Sequence, residues 1–179
     1  SIAVLAAAPR GDLLHAPDCY MDKIAAGPDL AGEISLDAEV AWNLEQVASV
    51  LDKAVSEVRV VALDRERHAQ LFSEVKDAGA QLDLMGDGDI SAAIWASEAD
   101  GPYDLLLGIG AAPEGVITAT ALRGLGGVFE GRLKFNSEEE RNRAEGMVGG
   151  DLDRLWTAEE LCRSSDAVFV ATGVCPGYL

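Results

Sequence analysis

Hydrophobic and polar positions alternate along the chain in a way that predicts strands and helices in turn. Short apolar runs rich in β-branched residues and leucine are typical of buried strands. Helical spacing places Val40, Leu44, Val47 and Leu51 on one face of a helix that begins near residue 37. Residues 2–8, 58–63, 104–109 and 167–171 are predicted to be buried strands, and residues 82–85 and 128–135 are predicted to be further strands.

Helix signals fall between these strands. Gly79 is a stop signal, Pro113 suits a first helical position, and Thr157 with Glu160 fits a capping box. Pro17 and the Gly27-Pro28 pair predict an irregular segment over residues 15–28. Strands and helices that alternate in this way indicate a single layered α/β region over residues 1–179, with helices on both faces of a sheet. The other predicted helices are residues 65–78, 90–97, 113–122 and 137–145.

The segment from Leu107 to Gly115 is the most informative part of the chain. Its pattern predicts a buried strand, a glycine turn and a helix whose first turn carries Glu114. Open α/β sheets bind ligands at the carboxyl ends of strands, and this is such an end. The alternative is a capped helix in which Glu114 only favours the helix dipole. A dinucleotide site is poorly supported, because Pro113 stands where the third glycine of that motif belongs.

A second strand end carries Arg65 and Arg67 at the start of a predicted helix, where the dipole disfavours cations. Arginine forks match phosphate oxygens, so an anion site would explain this placement. The alternative is a pair of solvated arginines, one of them paired with Asp64.

A third strand end carries Asp87, Gly88 and Asp89. Carboxylates of this kind bind metals or accept hydrogen bonds from sugar hydroxyls, whereas the alternative is an acidic helix cap. Tyr20, in the segment predicted to be irregular, either anchors a loop or contacts a ligand.

The charge balance narrows the possible partners. Acidic residues outnumber basic ones 31 to 14, which gives a formal net charge of −17. Such a field repels nucleic acid and anionic membranes, and no apolar run is long enough to predict a membrane span. The three cysteines form no CxxC pair, so we expect reduced, buried thiols in a cytoplasmic protein.

Seven segments, taken in order, resemble the class II fructose-1,6-bisphosphatases, including the dual fructose/sedoheptulose bisphosphatases. The resemblance implies a layered α/β sandwich of the lithium-sensitive sugar phosphatase superfamily. It also implies hydrolysis of the 1-phosphate of fructose 1,6-bisphosphate with Mg²⁺ or Mn²⁺, in gluconeogenesis, glycerol metabolism or the Calvin cycle. The segments are SIAVLA (1–6), APDCYM (16–21), VVALDRERH (60–68), DGDISA (87–92), GIGAAPEG (108–115), LGGVFEGRL (125–133) and ATGV (171–174).

The resemblance also implies roles for individual residues. Glu114 is then the metal-binding glutamate. Two departures from the family pattern stand out: Glu66 replaces a proline, and Ala111 replaces a glycine. The implied substrate-binding residues are Tyr20, Arg65, Arg67, Asp87, Gly88 and Asp89.

The family's other metal carboxylates and its catalytic threonine have no counterpart in this chain. We therefore expect no catalytic residue here, little or no turnover by the chain alone, and a place as the substrate-side part of a longer protein. At full length we expect a homo-oligomer that acts on a sugar bisphosphate. The alternative is a non-catalytic sugar-phosphate binding module without a metal centre.

Overall fold

The computed structural model describes residues 2–175, so Ser1 and residues 176–179 lie outside the described residues. The strands are β1 (Ile2–Ala7), β2 (Tyr20–Ala26), β3 (Arg59–Leu63), β4 (Gln81–Met85), β5 (Leu105–Ala111), β6 (Val128–Lys134), β7 (Trp156–Thr157) and β8 (Val168–Gly173). The helices are α1 (Val40–Val50), α2 (Ala69–Asp77), α3 (Asp89–Ser97), α4 (Ala112–Leu125), α5 (Glu138–Val148) and α6 (Ala158–Leu161).

Six strands form the main sheet in the order β4-β3-β5-β2-β6-β7. Strand β3 is parallel to both β4 and β5, whereas β2 is antiparallel to β5 and β6. Strands β1 and β8 form a separate antiparallel pair. The predicted α/β class is confirmed as a mixed α/β fold. The extent of a single α/β region over residues 1–179 stays a prediction.

Two apolar cores cover the two faces of the main sheet, as predicted. Alternation along β2 sends Ile24 toward α1 and α2, where the predicted face of α1 buries Leu44 and Val47. The same alternation sends Met21 and Ala25 toward α3 and α4. The sheet is therefore the middle layer, and its strand ends form the edges on which polar residues can gather.

The prediction of an irregular segment over residues 15–28 was wrong for residues 20–26, because β2 lies near the centre of the main sheet. The polar pair Asp22 and Lys23 interrupts the apolar pattern and conceals the strand. Lys23 is nevertheless buried, because it forms an ion pair with Asp89. Tyr20 is consequently the first residue of a strand and not part of a loop.

The terminal strands β1 and β8 were predicted to be buried, and this too was wrong. Leu5 and Val170 lie opposite each other and are 56% and 53% exposed. Among residues 2–175 the two strands pair only with one another, and they pack one face toward α4, so alternate side chains point to solvent. An apolar run alone does not distinguish such a strand from one covered on both faces.

The remaining helices and turns follow the sequence signals closely. Residues 66–68 form a short 3-10 turn before α2, and Gly79 ends that region with a φ of +86°. The Glu160 carboxylate accepts a hydrogen bond from the Thr157 amide, as the capping box predicts. Within residues 2–175, no helix combines the length and hydropathy needed to cross a bilayer.

Two of the three cysteines match the prediction of buried thiols. Cys19 and Cys162 are buried, whereas Cys175 is exposed, contrary to expectation.

Candidate active site

The carboxyl ends of three parallel strands meet at one edge of the main sheet, and each is followed by a predicted site segment. The arginines follow β3, the Asp87–Asp89 segment follows β4, and Glu114 follows β5. Tyr20 begins β2 at this edge, because it lies opposite Ala111. The fold thus brings to this edge all seven predicted residues: Tyr20, Arg65, Arg67, Asp87, Gly88, Asp89 and Glu114.

Arg67 contacts two strands, β2 through Tyr20 and β5 through Ile109. Its guanidinium lies over the Tyr20 ring, 4.8 Å from the centroid, in a cation–π arrangement. Nε and Nη2 donate hydrogen bonds to the carbonyl of Ile109, at 3.2 and 2.8 Å. An arginine has five N–H donors, so three remain for an anion. The side chain is exposed, which leaves these donors accessible.

Arg65 is half-buried, and its Nη1 donates to the backbone carbonyl of Asp64. The interpretation in which an arginine pairs with the Asp64 carboxylate is therefore not what the geometry shows. This contact leaves part of the Arg65 guanidinium for other partners.

Asp89, in the segment that follows β4, is one partner of a buried ion pair. Lys23 Nζ lies 2.6 Å from Asp89 Oδ2, and the two residues are 2% and 8% exposed. The N-cap of α3 is Gly88, with a φ of +99°, so the helix-cap alternative is wrong for Asp89. The sequence prediction missed Lys23. The available signal was a lone lysine directly before the apolar run Ile24 to Ala26.

Gly108 and Gly110 of the Leu107–Gly115 segment lie inside β5, so the predicted glycine turn was wrong. Side chains fill the space that a Cβ atom would take. A Cβ placed on Gly110 would overlap Asp89 Oδ2 and lie 2.7 Å from Lys23 Nζ. A Cβ on Gly108 would lie 3.2 Å from Cε1 of His68. These glycines accommodate neighbouring side chains and do not form a phosphate-binding loop.

Glu114 occupies the first turn of α4 and is exposed. The surrounding protein removes part of the hydration of its carboxylate, and this raises the pKa of Glu114 above its ordinary value. The negative charge of Asp89 raises it further, Lys23 partly offsets the effect, and Asp87 adds to it. The carboxylates of Asp89 and Asp87 are therefore close enough to Glu114 to repel its charge.

Such mutual repulsion is relieved by a cation, and carboxylate oxygens are the ligands that Mg²⁺ and Mn²⁺ prefer. The donor chemistry at Glu114 thus fits a divalent metal. Within residues 2–175, however, no group of three or more His, Cys, Asp or Glu residues is arranged to hold one.

The opposite face of the sheet carries a cleft of about 280 Å³ beside Arg67. Its walls include Arg132 and Lys134, neither of which the sequence prediction singled out. Lys134 lies opposite Tyr20 in the strand register and 3.4 Å from the Asp22 carboxylate. Two further cations therefore line this cleft, and each is paired with an aspartate, Arg132 with Asp37 and Lys134 with Asp22.

These features define a class: a mixed α/β protein that gathers arginines and carboxylates at the carboxyl ends of its parallel strands, where such folds bind ligands. The sequence model of the family described as "Bacterial fructose-1,6-bisphosphatase, glpX-encoded" matches residues 1–179. The chain belongs to that family, which confirms the resemblance predicted from its motifs.

Curated relatives support this assignment. Proteins from Synechococcus sp. (strain JA-3-3Ab) and Trichodesmium erythraeum (strain IMS101) are 44% and 41% identical to the chain over 191 residues. Both are named D-fructose 1,6-bisphosphatase class 2/sedoheptulose 1,7-bisphosphatase. Each alignment covers 100% of this chain and 55% of the relative, so the chain spans about half the length of these relatives.

Proposed function

We propose that this chain supplies the substrate-binding side of an enzyme that hydrolyses the 1-phosphate of fructose 1,6-bisphosphate, giving fructose 6-phosphate and phosphate. Family membership supports the reaction. The observation that carries the proposal is the position of Arg67, stacked on Tyr20 and bonded to the strand that leads to Glu114. One edge therefore offers an anion-binding group and a carboxylate suited to a metal.

In this proposal Arg65 and Arg67 hold the phosphate that is not cleaved. Arg67 is already oriented by its bonds to Ile109, so little side-chain freedom is lost on binding. Asp89 presents the sugar with a carboxylate whose Oδ2 is held by Lys23, which leaves Oδ1 to accept from a hydroxyl. Glu66, the departure from the family pattern, is exposed, so its carboxylate can turn away from the anion.

Glu114 would hold Mg²⁺ or Mn²⁺ together with carboxylates that the resemblance assigns to other parts of the family's sequence. When bound, such a metal neutralises phosphate charge and activates water. The chain's own contribution is orientation, because the arginines fix the far end of the substrate relative to Glu114.

We further propose that the fold is a sandwich of the lithium-sensitive phosphatase superfamily and that the full-length protein is a homo-oligomer. Its proposed role is cytoplasmic, in gluconeogenesis, glycerol metabolism or the Calvin cycle. The buried thiols of Cys19 and Cys162 fit a reducing compartment. The acidic net charge argues against nucleic-acid and membrane partners.

Ligand binding by the chain tests the substrate side. We expect fructose 1,6-bisphosphate to shift NMR resonances of the chain, and Arg67→Gln to weaken this binding by about tenfold or more, since a hydrogen bond to a charged group contributes roughly 1.5–3 kcal/mol. The matched control is Arg143→Gln, an exposed arginine on α5, which should leave the affinity unchanged. Equal affinities of the Arg67 variant and the parent chain would contradict the proposal.

Catalysis requires a second experiment, because we expect no phosphate release by the chain alone with Mn²⁺. A chimera in which this chain replaces the matching 191 residues of the Synechococcus relative should release phosphate from fructose 1,6-bisphosphate. Glu114→Gln should abolish that release while leaving sugar-phosphate binding in place. Robust turnover by the bare chain would refute the assignment of the chain to the substrate side.

The second candidate function is a sugar-phosphate binding module without catalysis. It is favoured by the lack, within residues 2–175, of a three-residue group able to hold a metal. A chimera that binds fructose 1,6-bisphosphate with the parent affinity, yet neither binds Mn²⁺ nor releases phosphate, would establish this alternative.

A further inference from the structure

His68 is a buried side chain to which neither the sequence prediction nor the proposed function gives a role. The residue is 1% exposed, and its ring packs edge-on against Phe72 with centroids 5.9 Å apart. Nδ1 lies 2.7 Å from the carbonyl oxygen of Leu63, and the Ile109 amide donates to Nε2 at 2.8 Å. A carbonyl oxygen only accepts, so Nδ1 must carry the proton and Nε2 must be bare. The ring is therefore held as one neutral tautomer.

These two bonds bridge a split between neighbouring parallel strands. Strands β3 and β5 pair only at Val60 with Leu105 and at Val61 with Leu106. Beyond that point toward their carboxyl ends, the imidazole joins the last residue of β3 to Ile109 of β5. Gly108 leaves the room for it, because a Cβ there would press on the ring at 3.2–3.3 Å. The ring thus takes the place of the missing backbone ladder.

Two side chains form hydrogen bonds with the backbone of the same residue, Ile109 of β5. His68 accepts from the Ile109 amide, and the neighbouring Arg67 donates to the Ile109 carbonyl. Ile109 lies on β5, and α4 with Glu114 follows directly at the end of that strand. A shift of the imidazole would therefore move the arginine relative to the carboxylate.

We propose that His68 is a positioning residue whose neutral ring holds the Arg65–Arg67 turn against β5 and so sets the place of the Arg67 guanidinium relative to Glu114. This inference rests on the proposed function for its catalytic meaning. The contacts that hold the Arg65–Arg67 turn against β5 can be tested without ligand.

The first experiment uses nitrogen-15 NMR of the chain at neutral pH. We expect the His68 ring to show a protonated Nδ1 and a bare Nε2, with exposed His15 as the internal reference. We also expect a protected Nε–H resonance from Arg67. A protonated Nε2 or a fully protonated ring in the folded chain would overturn the proposal.

The second experiment separates positioning from simple packing. His68→Leu should displace the Ile109 amide resonance and remove the protection of the Arg67 Nε–H. Phe72→Leu, which alters the packing but keeps the imidazole, should preserve both signals. His68→Gln, which keeps an acceptor for the amide, should restore part of the protection, and it carries the same test if the leucine variant does not fold. Unchanged Arg67 protection in the leucine variant would overturn the assignment.

Ligand titration then distinguishes this inference from the proposed function. His68→Leu should lower the affinity for fructose 6-phosphate about fivefold or more when Arg67 is present, and should cause no further loss in the Arg67→Gln background. Additive losses would refute positioning through Arg67. If the parent chain does not bind the ligand, the substrate-binding proposal fails, and the NMR protection in the preceding experiment alone decides the role of His68.

Discussion

Gly110→Ala tests the strongest packing constraint at the site. The added methyl group would overlap Asp89 Oδ2 and lie 2.7 Å from Lys23 Nζ, so these atoms must move. Both belong to ends of side chains, but Lys23 and Asp89 are only 2% and 8% exposed, so little space is open to them. The substitution should therefore separate the two charges or shift α3, and either outcome leaves part of a charged pair uncompensated.

The expected change in the free energy of unfolding follows from two opposing effects. Breaking a buried ion pair by removing a partner destabilises a protein by about 3–5 kcal/mol. Alanine offsets about 0.4–1 kcal/mol of this loss by restricting the unfolded chain. We expect a net loss of roughly 2–4 kcal/mol, which corresponds to a fall in Tm of about 5–15 °C for a chain of this size.

Urea unfolding followed by circular dichroism measures this loss as a lower midpoint at an unchanged slope. Gly146→Ala is the matched control, because that glycine lies in α5 with open space around its Cβ position. Its alanine should be neutral or stabilise the chain by up to about 1 kcal/mol, the helix-propensity difference. If Gly110→Ala unfolds at the same urea concentration as the control or the parent, the strand does not depend on this glycine to accommodate the pair.

Three further predictions concern buried polar groups and the carboxylate at the edge. Lys23→Met should destabilise the chain by about 3–5 kcal/mol, because it leaves Asp89 buried without its partner, whereas exposed Lys76→Met should change the urea midpoint little. Burial lowers the pKa of His68 below its ordinary 6.5, as do the charges of Arg67 and Arg65, while hydrogen bonds partly oppose the shift. The unfolded chain therefore binds a proton at higher pH than the folded chain does. The stabilisation that His68 contributes is complete above about pH 6.5 and decreases as pH falls below it, so urea midpoints measured from pH 7.5 to 5 should fall less in His68→Gln than in the parent. Glu114→Gln should leave the free energy of unfolding from urea titration within about 0.5 kcal/mol of the parent's, because its side chain is exposed, and a larger loss would show that Glu114 stabilises the fold.

Much of the fold was predictable because its signals are local. The face of α1 with Leu44 and Val47 follows from helical spacing, and the stop at Gly79 and the Thr157 capping box depend on neighbours in the sequence. Strand β2 was missed because its lysine is compatible with a buried strand only when Asp89, 66 residues away, supplies the opposite charge. No local pattern contains that information.

Some features of the candidate site were likewise recognisable in the sequence, and others were not. Strand ends followed by arginines and carboxylates were recognisable in the sequence, because parallel strands carry such residues to one edge. The reason for the glycines of β5 was not recognisable, since their neighbours are the side chains of His68, Lys23 and Asp89 from other elements. The exposure of Leu5 and Val170 was equally hidden, because an apolar strand looks the same whether one face or both are covered.

The amino-acid sequence alone determined the family, the alternation of strands and helices, and which residue types gather at the strand ends, since all of these depend on order and spacing along the chain. The tertiary structure decided which polar groups are buried together and which backbone positions must lack a side chain. Those properties depend on contacts between residues distant in sequence, because a close-packed interior has no room for an added methyl group and a buried charge needs a partner.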